Sequence, residues 1–158
     1  MNFASSLSLL FARDLARLAQ EVEAFPNDAT LWQAPVGITN PGGNLVLHIE
    51  GNLREYVGRQ LAGLPYIRDR PKEFSQQYLS REDLLARVSG LKQTIPAAIA
   101  RLTNEQLDGE YPETVLGKPM TVRQFLIHLY GHLNWHLGQI DSARRVLTGE
   151  GAIKLAGL

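Results

Sequence analysis

Apolar residues recur at helical spacing in four separate stretches of the chain. From Phe3 to Phe25, residues Leu7, Leu10, Phe11, Leu15, Leu18 and Val22 fall three and four apart, with Arg13, Asp14, Arg17 and Glu21 between them. That pattern predicts an amphipathic helix, ended by Pro26-Asn27-Asp28. Residues 29–39 carry too few apolar repeats for an element of their own and read as a loop packed around Trp32. Asn40 suits a helix cap and Pro41 the first helical position, where its missing N–H is not needed. The helix they open should run to about Leu61 and stop at Gly63-Leu64-Pro65. Its first turns, Leu45-Val46-Leu47-His48-Ile49, are apolar nearly all round, which predicts burial on several sides.

The segment from Tyr66 to Tyr78 is charged and turn-like and reads as an ordered crossover loop. Ser80 followed by Asp83 has the form of a capping box, opening a third helix through Leu84, Leu85, Val88, Leu91, Ile95, Ile99 and Leu102, with a kink expected at Pro96. Thr103 to Leu107 fits a short helical turn, and Glu110 to Thr121 a small hairpin or extended loop around Gly117-Lys118-Pro119. Thr121 caps a last helix that should reach about Leu147 and end at Gly149. The expectation is an all-α protein, residues 1–158 forming one domain: a four-helix bundle with a long crossover between its second and third helices.

Composition narrows the function. The chain has 158 residues, no cysteine, and 16 Lys+Arg against 16 Asp+Glu. A disulfide scaffold, a thiolate metal site and a cysteine nucleophile are therefore excluded. Zero net charge argues against nucleic acid or an acidic membrane surface as partner, since both need clustered positive charge. No apolar run approaches the ~20 residues of a membrane helix. Met1 to Ala12 lacks the basic start of a secretory leader. These features together predict a cytoplasmic protein.

The four histidines carry the chemistry. His128, His132 and His136 lie at i, i+4 and i+8 on the last helix, and His48 lies on the second. Imidazoles four apart can chelate one ion from adjacent turns. His128 and His136 are about 12 Å apart along the helix axis, too far to share an ion. Val122, Leu129, Leu133, Ile140 and Leu147 set the core direction of that helix. At about 100° per residue, His136 lies about 40° from it, His132 about 80° and His128 about 120°. A site inside the bundle therefore favours His132 with His136, leaving His128 at a boundary, lining an access route.

Zinc-type sites need at least one more protein ligand. His48 is the remaining imidazole, but it falls off the Ile49–Leu53–Tyr56 side of its helix, so phase does not place it. Asn52 shares its face and could bond a ligand or bound water; Gln139 and Asp141 could hold imidazole tautomers. No residue announces itself as general base. Glu50, Glu55 and Asp141 are near in sequence but read as solvated helix charges, and Arg54 and Arg59 as solvated cations that could meet a substrate carboxylate. Arg144 and Arg145 suit the C-terminal end of the helix dipole.

The run Phe125-Leu-Ile-His-Leu-Tyr-Gly-His-Leu-Asn-Trp-His-Leu-Gly-Gln-Ile140 resembles the last-helix motif of the DinB-like superfamily, in which two histidines four apart precede a Gly-Gln-hydrophobic step. Asn44-Leu-Val-Leu-His-Ile-Glu-Gly-Asn-Leu-Arg54 resembles that family's other metal segment, and Ile67-Arg-Asp-Arg-Pro-Lys-Glu-Phe74 resembles the following loop of one uncharacterised branch. The resemblance implies a homodimeric four-helix bundle with one divalent metal, zinc or nickel, on His48, His132 and His136. It also implies a metal-activated, low-molecular-weight thiol transferred to an electrophilic small molecule. Two further readings stand beside that one: a metal-assisted hydrolase, and a non-catalytic metal- or small-molecule-binding stress protein.

Overall fold

The computed structural model describes residues 2–154. Its first long helix, α1 (Phe3–Glu23), starts at Asn2, whose side chain accepts from the Ser5 amide while Ser5 Oγ accepts from the Asn2 amide. The periodic residues Phe11, Leu15, Leu18 and Val22 are buried as the pattern requires. Residues 29–39 are more ordered than a loop. A single helical turn, α2 (Asp28–Leu31), is capped by the Asn27 side chain. Trp32 then packs so tightly on Gly43 that a Cβ there would lie 2.7 Å from its ring, and Trp32 Nε1 donates to the Leu79 carbonyl at 3.0 Å.

The second long element begins one residue later than expected. Pro41 is the cap itself, with extended ψ and no capping side chain, and α3 spans Gly42–Leu53. All twelve residues of α3 are buried, because α6, α8 and the crossover segment cover it on three sides. The helix then widens into a π-helical stretch, Arg54–Arg59, before closing as α4 (Gln60–Ala62). Hydrophobic spacing alone could not separate this wider turn from α-helix. Gly63 ends the element with φ of +65°, a left-handed conformation that glycine adopts without strain.

The crossover is partly helical: α5 (Arg70–Ser75) is capped by Asp69 and presses Glu73 onto α3. The Ser80–Asp83 capping box forms, and α6 (Arg81–Ala100) runs unbroken through Pro96, whose carbonyl accepts from Ser8 Oγ on α1 at 2.8 Å. Thr103 and Gln106 cap α7 (Asn104–Asp108). The hairpin or extended loop expected over 110–121 is a loop pinned by two isolated antiparallel bridges, Glu110 with Thr121 and Val115 with Lys118. The last helix, α8 (Val122–Thr148), has a Thr121–Gln124 capping box and ends at Gly149, φ +72°.

The long helices α1, α3 with its extension, α6 and α8 enclose a common core. His48 contacts His132 and His136, while Tyr56 contacts Phe125. As the chain advances along α3 it thus retreats along α8, and the two run antiparallel.

Two charged clusters inside the bundle break the rule that charges face water. Asp14, fully buried, accepts from Arg13, Arg17, Tyr130 and Asn134. Arg144 is also fully buried and bonds Glu21 at 2.6 Å and Asp141 at 3.2 Å. Its role is an internal ion pair and not the solvated end of a helix dipole; Arg145 beside it is exposed. Both clusters survive burial because nearly every polar atom in them is paired.

Candidate metal centre

Three imidazoles converge between α3 and α8. His48 Nε2 lies 3.2 Å from His132 Nε2, and His136 Nε2 lies 3.1 Å from the same atom. One ligand nitrogen from each of the three lies within 4.8 Å of the other two, and among the described residues no fourth His, Asp or Glu joins the group. His48 is 6% exposed, and the other two are half-buried. The pairing favoured by helical phase on α8 is therefore the one that converges, and the antiparallel docking of α3 brings His48 to it.

The outer nitrogens determine what the inner ones can do. His48 Nδ1 lies 2.8 Å from Glu73 Oε2, and His136 Nδ1 lies 2.7 Å from Gln139 Oε1. Both partners are acceptors, so both Nδ1 atoms carry the proton and both Nε2 atoms turn a lone pair inward. His132 can supply at most one Nε2 proton to two facing lone pairs. Burial, then repulsion from His136, His48, His128 and Arg68, pushes His132 down to about 4, so that ring is neutral near neutral pH. Burial likewise lowers His136, against the opposing bond to Gln139.

Three nitrogens facing one another with one proton among them form a donor set for a cation. Metal–nitrogen bonds of about 2.0–2.1 Å place neighbouring ligand atoms about 2.9–3.4 Å apart for octahedral to tetrahedral angles, and the separations of 3.2 and 3.1 Å fall in that range. The group could hold a divalent ion.

Glu73 was not among the residues the sequence singled out. It arrives on the helical crossover, inside the segment that was read as charged loop. Its carboxylate is gripped on one edge by Arg68, Nε to Oε1 at 2.7 Å and Nη2 to Oε2 at 3.0 Å. Burial would raise the Glu73 carboxyl, but the bonds from His48 and Arg68 outweigh it and hold Glu73 below its ordinary value. The carboxylate also lies directly on the α3 backbone: a Cβ on Gly51 would stand 2.0 Å from Oε1. Only glycine at position 51 leaves room for that approach. On the far side of Glu73 lies a cleft of about 440 Å³ lined by Glu50, Tyr66, Lys72 and Arg87 among others, and none of the three histidines borders it.

The remaining candidates divide. Asn52 is buried one turn from His48, and its Oδ1 has no hydrogen-bond partner. His128 is exposed, stacked on Phe125 and on His132 at centroid separations of 5.8 and 6.3 Å, outside the ligand group. Asp141 is turned away, paired with Arg144 and Arg145. Glu50 and Glu55 are buried and not solvated: Glu50 pairs with Arg54 and Arg87, and Glu55 with Arg59. Each of these acids is paired with a guanidinium, and none belongs to the histidine group.

Residues 10–140 match the sequence profile of the DinB superfamily. The chain superposes on the crystal structure of a DinB-like protein from Bacillus subtilis with a TM-score of 0.70 at 18% identity, covering 95% of this chain and 96% of that one. A DinB-like protein from Bacillus cereus ATCC 10987 gives a TM-score of 0.66 at 19% identity, covering 92% of this chain and 91% of that one. At such identities the likeness is one of fold. None of the curated proteins matches the chain.

Proposed function

The chain belongs to the DinB superfamily, and on that premise we propose that it is a metal-dependent enzyme whose cation, zinc or nickel, is held by His48, His132 and His136. The observation that carries this reading is the convergence of three imidazoles, with His48 Nδ1 on Glu73 at one side and His136 Nδ1 on Gln139 at the other. A cation on three neutral imidazoles keeps its +2 charge and an open position, where a thiol or water loses its proton more readily. The reaction proposed is transfer of a low-molecular-weight thiol to an electrophilic small molecule. Thiol from outside meets no competing protein thiolate, since the chain has no cysteine.

Each side chain has a task that its geometry supports. Glu73 and Gln139 hold the His48 and His136 tautomers, and Arg68 fixes Glu73. Phe74, 4.9 Å from His48 between ring centroids, shields that imidazole from water. Leu9 on α1, with Ile127, Trp135 and Val146 on α8, offers exposed apolar surface for pairing of two copies. No described helix is long and apolar enough to cross a membrane; the reading places the homodimer in the cytoplasm, acting on small molecules and not on nucleic acid.

Elemental analysis of the purified protein, coupled to a thiol-consumption assay against a panel of electrophiles, tests the proposal. Wild type should hold about one divalent ion per chain, and the triple variant His48→Ala, His132→Ala, His136→Ala none. Undiminished metal in the triple variant would refute the centre. Ester or amide turnover without thiol would instead assign the open position to water.

A further inference from the structure

The short helix that delivers Glu73 is held to α3 largely by polar contacts. A helix of six residues is marginal by itself in water, so α5 needs a surface to lie on. Glu73 is nevertheless its one buried residue. Among the described residues, three hydrogen bonds join α3 to α5 and its cap residue Gln76, and one side chain donates two of them. Asn44 Nδ2 reaches the Glu73 carbonyl at 3.0 Å and the Gln76 carbonyl at 2.8 Å. The third bond runs between His48 and the Glu73 carboxylate.

Both carbonyls lie at the end of a helix, where the backbone leaves acceptors without intrahelical partners. Because a carbonyl only accepts, the Asn44 amide must turn its NH₂ toward the pair. Its Oδ1 is then left without a partner, in a residue that is 1% exposed. A buried acceptor with no bond is destabilising, and an apolar side chain of similar size would avoid it. Such a side chain would lack the two N–H groups that hold α5.

Asn44, His48 and Gly51 follow at i, i+4 and i+7, so they form one stripe along α3. All three meet the same residue. Asn44 holds the Glu73 main chain, His48 bonds its carboxylate at 2.8 Å, and Gly51 leaves room for Oε1. Arg68 also bonds the carboxylate, but from within the crossover, so it does not tie Glu73 to α3.

We infer that Asn44 is a positioning residue for the three-histidine centre: by pinning the Glu73 main chain it keeps the carboxylate on His48 Nδ1. Asn44 acts through Glu73 and makes no hydrogen bond of its own to an imidazole. Its effect on metal affinity rests on the metal reading above; its effect on the His48 tautomer does not.

The experiment compares full-length wild type, Asn44→Leu, Glu73→Ala and the double variant, with zinc affinity read by competition with a chromophoric chelator. Asn44→Leu should weaken zinc about three- to tenfold when Glu73 is present, and less than about twofold when Glu73 is already alanine. A side chain that merely stabilised the fold would act equally in both backgrounds. In the metal-free proteins, long-range proton–nitrogen correlation NMR at alkaline pH reads the His48 tautomer directly. His48 should be the Nδ1–H form in wild type and a mixture of tautomers in Asn44→Leu. Asn44→Ser, with one O–H donor for two carbonyls, carries the same comparisons if the leucine variant does not fold. Unchanged zinc affinity, equal weakening in both backgrounds, or an unchanged His48 tautomer in a folded Asn44 variant overturns the inference. A wild type that binds no zinc is a separate outcome: it overturns the metal reading and the affinity half of this one, and the tautomer comparison still decides the other half.

Discussion

Gly51→Ala is the sharpest test of how the protein orients His48, because it adds one methyl group and removes no polar atom. The new Cβ would stand 2.0 Å from Glu73 Oε1 and 2.6 Å from Cδ. Ordinary contact is near 3.4 Å, so the carboxylate must withdraw by roughly 1.4 Å. The Glu73–His48 bond, now 2.8 Å, then opens past hydrogen-bonding distance. Losing such a bond behind a metal-binding imidazole typically costs about 10–100-fold in metal affinity, or about 1.4–2.7 kcal/mol. Helix propensity runs the other way, since alanine is favoured over glycine by about 1 kcal/mol inside a helix. Competition with a chromophoric chelator should therefore show weaker zinc binding, while the metal-free melting temperature falls by less than the lost buried bond alone would cost, because the helix gain offsets part of it. Glu73→Gln should match the affinity loss. Zinc affinity equal to wild type in Gly51→Ala would refute the claim that Glu73 holds His48 from this position.

Other expectations follow from the buried charges and from linkage. Arg144→Met strands Glu21 in the core and should cost about 3–5 kcal/mol in urea unfolding, most of it recovered by adding Glu21→Leu, because an apolar pair replaces the ion pair without a buried orphan. Asp14 sits below its ordinary carboxyl value: burial opposes this, but bonds from Arg13, Tyr130 and Asn134 prevail. A depressed folded value means that its contribution is complete above the unfolded pKa of about 3.9 and fades as pH falls through the folded one. The stability gap between wild type and Asp14→Asn, about 2–4 kcal/mol, should accordingly hold at neutral pH and shrink only in strong acid. Zinc in free excess of about 100 times its Kd should raise stability by about 2.7 kcal/mol, an increment absent from the triple histidine variant in thermal melts.

Local features of this chain were legible without coordinates. Helical spacing in α1, α6 and α8 marks those elements, the Ser80–Asp83 and Thr121 caps mark two starts, and Gly63 and Gly149 mark two stops; each is a relation among residues within a turn or so of one another. The same holds for His132 and His136, whose convergence is a matter of phase on one helix. The short helices α2 and α5 escaped notice because a single capped turn is too brief to show a period. Asp14 and Arg144 escaped because side-chain type predicts exposure, and only partners on distant helices reverse it.

What tertiary structure alone decided is the company each group keeps. His48 meets His132 across 84 residues and Glu73 across 25, and contacts between separate segments leave no periodic trace in a chain. Spacing on α3 did not place His48; the antiparallel docking of α3 on α8 did. The docking of α5 then turned a charged, loop-like segment into the clamp that sets a tautomer, because a carboxylate could reach the helix backbone at Gly51 and nowhere that carries a Cβ.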